Sequence, residues 1–347
     1  MGESDKAVVT HTEAARRRGC MGHCAKFWWA YLIALVCITV LVVPLVILVG
    51  VPKIAQSKLD AAELIIDGIA VTNTQAQNMT MAINSTIRSD GQVHATIDAF
   101  RGSMYLEDRL PHTPFATIDF PQTTSEAHQT VSVSQFLEIE DVEALTIFNT
   151  WLLANESLRV TVVGDTHVHV RGISRAYPVT FRKTVTMPGL RMLTGTVVNE
   201  TTIALEKDER GDNFWGKAYI PNYSVVAFEL GNTTFRNYLL GEEIGTVFID
   251  NLSLKPGMDN VYDMRASIEQ TPVLNALGQR PYCDETRGVL PFQIRGKSVV
   301  NHGQPLSYFA DALAAANQTL EIDIGGTLEK SFGLTIPCSD AGGGGEH

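Results

Sequence analysis

The chain has 347 residues and a formal charge of −11, from 27 basic and 38 acidic side chains. Its first 26 residues are net basic, so the acidity belongs to the rest, which lacks the basic footprint that nucleic-acid binding requires. The length leaves room for two domains beyond any anchor.

Residues 1–26 form a short basic tail containing Lys6, Arg16, Arg17, Arg18 and Lys26. Cys20 and Cys24 sit at its end, where juxtamembrane thiols are candidates for reversible palmitoylation or are simply idle. With only His23 nearby as a further ligand, their spacing is weak for zinc. Residues 27–51 carry no charge, and about 20 helical residues suffice to cross a hydrocarbon core of ~30 Å. A cleaved signal peptide would have a shorter apolar region, of roughly 7–15 residues, so a permanent transmembrane helix is predicted. Pro44 is tolerable inside it, because freed carbonyls in such helices find other partners. The excess of Lys and Arg before the span predicts a cytosolic N-terminus and a translocated C-terminal region.

Eight N-x-[ST] sequons follow the span and none precedes it: Asn78, Asn84, Asn155, Asn199, Asn222, Asn232, Asn251 and Asn317. That asymmetry predicts a glycosylated, luminal or extracellular region. Cys283 and Cys338 are the two cysteines beyond the span, and an oxidising compartment gives them each other as partners in a disulfide.

After a polar linker at 52–60, residues 78–88 alternate with period two. Met79, Met81, Ile83 and Ile87 share one face, while Asn78 and Asn84 fall on the polar one. Those four apolar residues either line a lipid-binding groove or fill a core. Asp141 is an N-cap candidate, and Val142, Leu145, Phe148 and Leu152 predict a helix over 142–154. The acids Glu138, Glu140, Asp141 and Glu143 suit a helix N-terminus better than acid/base catalysis.

The ending Ala154-Asn-Glu-Ser-Leu through Gly164 recurs as Ala316-Asn-Gln-Thr-Leu through Gly326, behind a similar helical pattern. Residues 78–121 likewise resemble 213–256. The chain therefore reads as a mostly β protein with two tandem immunoglobulin-like or fibronectin-like β-sandwich units, each with a late helix. The first unit is 61–175 and the second 176–337, with a long loop at 271–298 and a flexible tail at 338–347.

Distinctive punctuation marks the second unit: Ile220-Pro-Asn-Tyr-Ser224, Phe228-Glu-Leu-Gly231, Gly241-Glu-Glu-Ile-Gly245 and Leu252-Ser-Leu-Lys-Pro-Gly257. With Met187-Pro-Gly-Leu-Arg-Met-Leu193, this resembles a fungal vacuolar-membrane family built on a domain of unknown function. That is the family of the yeast protein implicated in ending autophagy. Its luminal domains are similar to the type-two late-embryogenesis-abundant sandwich. The resemblance implies a single-pass vacuolar membrane protein, luminal beyond the span, with no catalytic residues to carry over.

The residues alone offer no G-x-S-x-G, H-E-x-x-H or P-loop, and no cofactor motif. His167 and His169 share a strand face, but two imidazoles are too few for a metal site. The expectation is a non-enzyme. One reading is binding of membrane lipid; the other is a membrane-tethered scaffold or sensor with a filled core that contacts a membrane protein partner.

Overall fold

A computed structural model describes the backbone of residues 20–338 and the side chains of 28–338. The basic tail before Cys20, the side chains of Cys20 and Cys24, and residues 339–347 lie outside the described residues. The chain divides into two compact units, 1–55 and 56–347.

The first unit is helical. Helix α1 (Cys20–Leu45) contains Pro44, and a π-helical stretch, Val46–Gly50, leads into α2 (Val51–Ala61). Pro44 and Pro52 each remove a backbone N–H, and the stretch between them widens accordingly. Trp28–Ala61 is long and apolar enough to cross a membrane, with a mean hydropathy of 3.3 in its most apolar window and none of that window buried. A core helix of a soluble protein would be covered. Here Leu41 is 72% exposed, and lipid is the solvent that such a surface suits. The expected polar linker at 52–60 is instead helical.

Within the second unit, α2 is pinned at its C-terminal end. The Gln56 amide bonds both the N–H and the C=O of Thr180, and Lys183 Nζ donates to the carbonyls of Asp60 and Ala62. A lysine satisfying the last carbonyls of a helix is a favourable C-terminal cap.

The first half of this unit is sandwich-like. Its strands are β1 (Glu63–Thr72), β2 (Asn78–Arg88), β3 (Ala95–Ile97), β4 (Phe100–Leu106), β5 (Ala116–Phe120), β6 (Thr123–Thr124) and β7 (His128–Glu138). Helix α3 (Val142–Ala154) follows, then β8 (Ser157–Val170) and β9 (Ala176–Pro188). Strands β1, β2 and β7 form one antiparallel layer, and β5-β4-β8-β3-β6 the other, with β9 on the free edge of β8. Asp141 caps α3 by accepting from Ala144 N at 2.9 Å, as its position in the sequence predicts.

The second half comprises β10 (Val197–Ile203), β11 (Phe214–Tyr219), β12 (Val226–Leu239), β13 (Glu242–Leu254) and β14 (Val261–Ile268). It continues with α4 (Gln270–Leu277), β15 (Val289–Asn301), β16 (Gln304–Pro305), α5 (Ser307–Ala315), β17 (Gln318–Asp323) and α6 (Ile324–Phe332). Strands run β10-β11-β14-β13-β12-β15-β17, and the sheet curls until β17 lies alongside β10.

Four further sequence expectations change. Strand β9 pairs with β8 along its whole length, so the first half extends to Pro188 and not to 175. The two halves are joined, because β1 pairs in parallel with β12 (Ile69 to Val226, Val71 to Phe228) and makes one sheet of the β1-β2-β7 layer and the second half's strands. The 271–298 segment holds α4 and the start of β15, so its loop is short. The repeat is local only: β7-α3-β8 crosses between sheets, whereas β15 and β17 on either side of α5 pair directly. Cys283 and Cys338 form the expected disulfide, tying the turns beyond α4 to the residues beyond α6.

Candidate binding cavity

Strand β12 explains how the cavity is built. Val226, Phe228 and Leu230 face inward with period two, and Gly231, at φ 77°, then inserts a bulge against β13. A β-carbon at Gly231 would sit 2.6 Å from the carbonyl of Val300, so only glycine fits there. The bulge switches the parity, and Thr233, Phe235, Asn237 and Leu239 become the buried set. Strand β13 makes the matching adjustment at Asn251, φ 54°, so that Val247 and Ile249 share an interior with Leu252 and Leu254. The two strands meet in a two-residue turn of Leu240 and Gly241, both at positive φ, as hairpins of this length favour.

The curled sheet encloses a void of about 50 Å³, lined from all seven strands. Thr196, Asn237 and Gln318 are the polar residues in its wall, and no charged residue lines it. Thr196 is satisfied, its hydroxyl donating to Leu193 O at 2.7 Å. Asn237 is 3% exposed and its Oδ1 is buried without a hydrogen-bond partner among the described residues. Asn237, Ile294 and Gln318 lie in one row across β12, β15 and β17.

Apolar space continues at both ends. Phe214, Ile268 and Phe292 separate the void from an outer groove of about 60 Å³ flanked by α4 and α6, where Leu205 and Leu274 are exposed. At the opposite end, Leu193, Leu230, Leu254 and Leu313 are shared with a smaller pocket between α3 and α5. Leu193 reaches this position through Arg191–Leu193, three successive residues at positive φ. Each non-glycine residue held there costs roughly 1–2 kcal/mol.

Met79, Met81 and Ile83 do not line this space. They are 4–6% exposed within the first half, between β1 and β7, and Ile87 is half-buried. The alternation produces a buried face, packed inside the first half.

The sequons sort by burial. Asn84, Asn199, Asn232, Asn251 and Asn317 are exposed; Asn78 and Asn155 are half-buried, and the Asn155 amide nitrogen donates to Trp151 O. Asn222 differs from these in being buried. It is 2% exposed, its Nδ2 donates to Val226 O and its Oδ1 accepts from Ser224 N. Asn222 and Gly257 also exchange backbone hydrogen bonds, so the Ile220–Ser224 and Leu252–Gly257 wording describes a corner of the fold.

The histidine pair has other work: His169 Nε2 lies 2.9 Å from Asp98 Oδ2, which holds that carboxyl below the usual range. Among the described residues, no three His, Cys, Asp or Glu side chains gather as a metal site. Between the halves, Glu229 accepts from Asn73 N at 2.7 Å and from Asn301 Nδ2 at 3.1 Å, and His302 Nε2 is 3.4 Å away. Burial pushes the Glu229 carboxyl up, but these donors together hold it below its ordinary value.

An apolar helix followed by a disulfide-bonded, β-rich unit fits a single-pass membrane protein. A family model described as "Protein of unknown function (DUF3712)" matches residues 113–237, from β5 through most of β12, in keeping with the expected domain of unknown function. No curated protein matches the sequence. Among solved structures, a protein from Archaeoglobus fulgidus is similar at 7% identity and TM-score 0.22, covering 37% of this chain and 94% of that one. A glycosyl hydrolase family 2 member from Bacteroides cellulosilyticus matches at 9% identity and TM-score 0.19, over 44% of this chain and 16% of that one. A bacterial adhesin from Mobiluncus mulieris matches at 10% identity and TM-score 0.19, over 73% and 82%. Likenesses of this size carry no functional argument.

Proposed function

We propose that this is a non-catalytic, single-pass membrane protein of a fungal-type vacuole whose β-rich unit is luminal, N-glycosylated and binds the apolar part of a membrane lipid in its second half. The supporting observation is the void inside the curled sheet, with a wall almost entirely apolar and apolar space continuing at both ends. Ligand sites are concave and mostly apolar, with few polar groups to fix orientation. The void is well below the roughly 300–1,000 Å³ of a drug-sized pocket, so a chain enters only as the flanking side chains give way. The basic tail and the placement of the sequons support the orientation, and the family resemblance supports the vacuole and a link to autophagy regulation.

The second reading, a tethered scaffold with a filled core that contacts a membrane protein, draws on the closed packing around Met79, Met81 and Ile83. Residues 56–347 form one compact unit and can be studied without the helix. Native mass spectrometry of the full chain, purified from its host membrane in detergent, is expected to show lipid at near-unit stoichiometry. Lipid-free protein even after incubation with extracted membrane lipids refutes the binding reading and leaves the scaffold.

A further inference from the structure

Asn237 is a buried amide in an apolar wall, and its unpartnered Oδ1 has no structural explanation in the fold itself. Leaving such a group unpaired costs about 1–3 kcal/mol, and a leucine there would avoid the cost. The side chain is brought inside by the Gly231 bulge, and Gln318, 8% exposed, stands two strands away in the same row without a side-chain hydrogen bond among the described residues. No charged residue lines the void, the outer groove or the α3–α5 pocket. A carboxylate or phosphate buried there would be unpaired, which is prohibitive. A neutral hydroxyl, which can donate to Asn237 Oδ1, would not be.

We infer that the void takes the neutral, hydroxyl-bearing end of an apolar molecule, an alcohol whose O–H donates to Asn237 Oδ1. This rests on the apolar-ligand reading and specifies its chemistry. The entry side is the groove between α4 and α6, where Phe214, Ile268 and Phe292 stand between groove and void. The Cys283–Cys338 disulfide joins the segments that follow these two helices. It therefore limits how far the groove can spread, and favours a slender chain over a bulky one.

The test uses the full chain in nanodiscs. Hydrogen-exchange protection of segments 233–239 and 318–322 is followed while 1-octanol, n-octane or octanoate is titrated at pH 8. Octanol is expected to bind about tenfold more tightly than octane, the worth of one buried hydrogen bond, and octanoate is expected to give no protection. Asn237→Leu is expected to bring octanol down to the octane level and to leave octane unchanged, which also reports that the variant is folded. If that variant loses octane too, Asn237→Val takes its place in the comparison. Equal octanol and octane affinities in the unaltered chain overturn the inference, because the amide then serves an internal water only. An octanol preference that survives in the variant overturns it as well. If neither octanol nor octane gives protection, the apolar-ligand reading falls with it.

Discussion

Ile83→Glu measures whether the first half is closed. Ile83 is 4% exposed and lies between Ile69 of β1 and Val133 of β7, so both side chains directly opposite the new carboxyl are apolar. Losing the buried isoleucine costs about 3 kcal/mol, in the range of large-to-small core changes. The carboxyl then stays protonated in the folded state, with its pKa raised by about 2–3 units through desolvation. The folded state holds this proton after the unfolded state has lost it, so stability falls as pH rises from ~4.3 until the raised folded value is passed. At ~1.4 kcal/mol per unit this adds about 3–4 kcal/mol. The total of about 6–7 kcal/mol at pH 7 rivals the ordinary stability of a domain, 5–15 kcal/mol. Urea unfolding of residues 56–347, followed by circular dichroism at pH 4.5 and 7.0, reads both terms. Ile83→Gln serves as the control whose deficit does not depend on pH through this group. If Ile83→Glu matches the parent at both pH values, the face is open to solvent or lipid, and the closed-core assignment is wrong.

Two further outcomes are expected. Glu229 has a depressed folded pKa, so its contribution is present above the unfolded value of ~4.3 and is lost as pH falls through the lower folded value. Glu229→Gln should therefore lower the urea midpoint at pH 7 by an amount equivalent to about 1–2 kcal/mol, and the gap should close with acidification; a gap independent of pH refutes the assignment. For the proposed glycans, Asn232→Gln should remove one step from an endoglycosidase ladder, whereas Asn222→Gln should leave the ladder unchanged and destabilise the fold by about 1–3 kcal/mol. A lost step in Asn222→Gln means that this asparagine is modified and that the corner at Gly257 is built differently.

What the sequence discloses is what local chemistry controls. The Asp141 cap and the spacing of Leu145, Phe148 and Leu152 define α3, and the alternation over 78–88 identifies the buried face of β2. The pairing of Cys283 with Cys338 follows from there being no competitor beyond the span. The cavity is hidden by parity: read without the bulge, Asn237 faces solvent. Gly231 inside a strand pattern is the one signal that could have placed it. The Asn222 sequon is legible as a motif but its burial is not, since that depends on Gly257 closing over it. Residues 52–60 look like a solvated exit because Lys53, Gln56, Lys58 and Asp60 are polar. Their helical order comes partly from Lys183 and Thr180, more than a hundred residues away.

The parallel pairing of β1 with β12 bears on how the chain is made. Synthesis runs from the N-terminus, so β1 emerges roughly 150 residues before the strand that completes its edge. At about 5–20 residues per second, that edge waits on the order of ten seconds or more. During that interval Ile69, Ala70 and Val71 present unpaired backbone groups that any passing strand could bond. The nascent first half is therefore the vulnerable species in the life of this protein, and the period of risk ends only when Phe228 has been added.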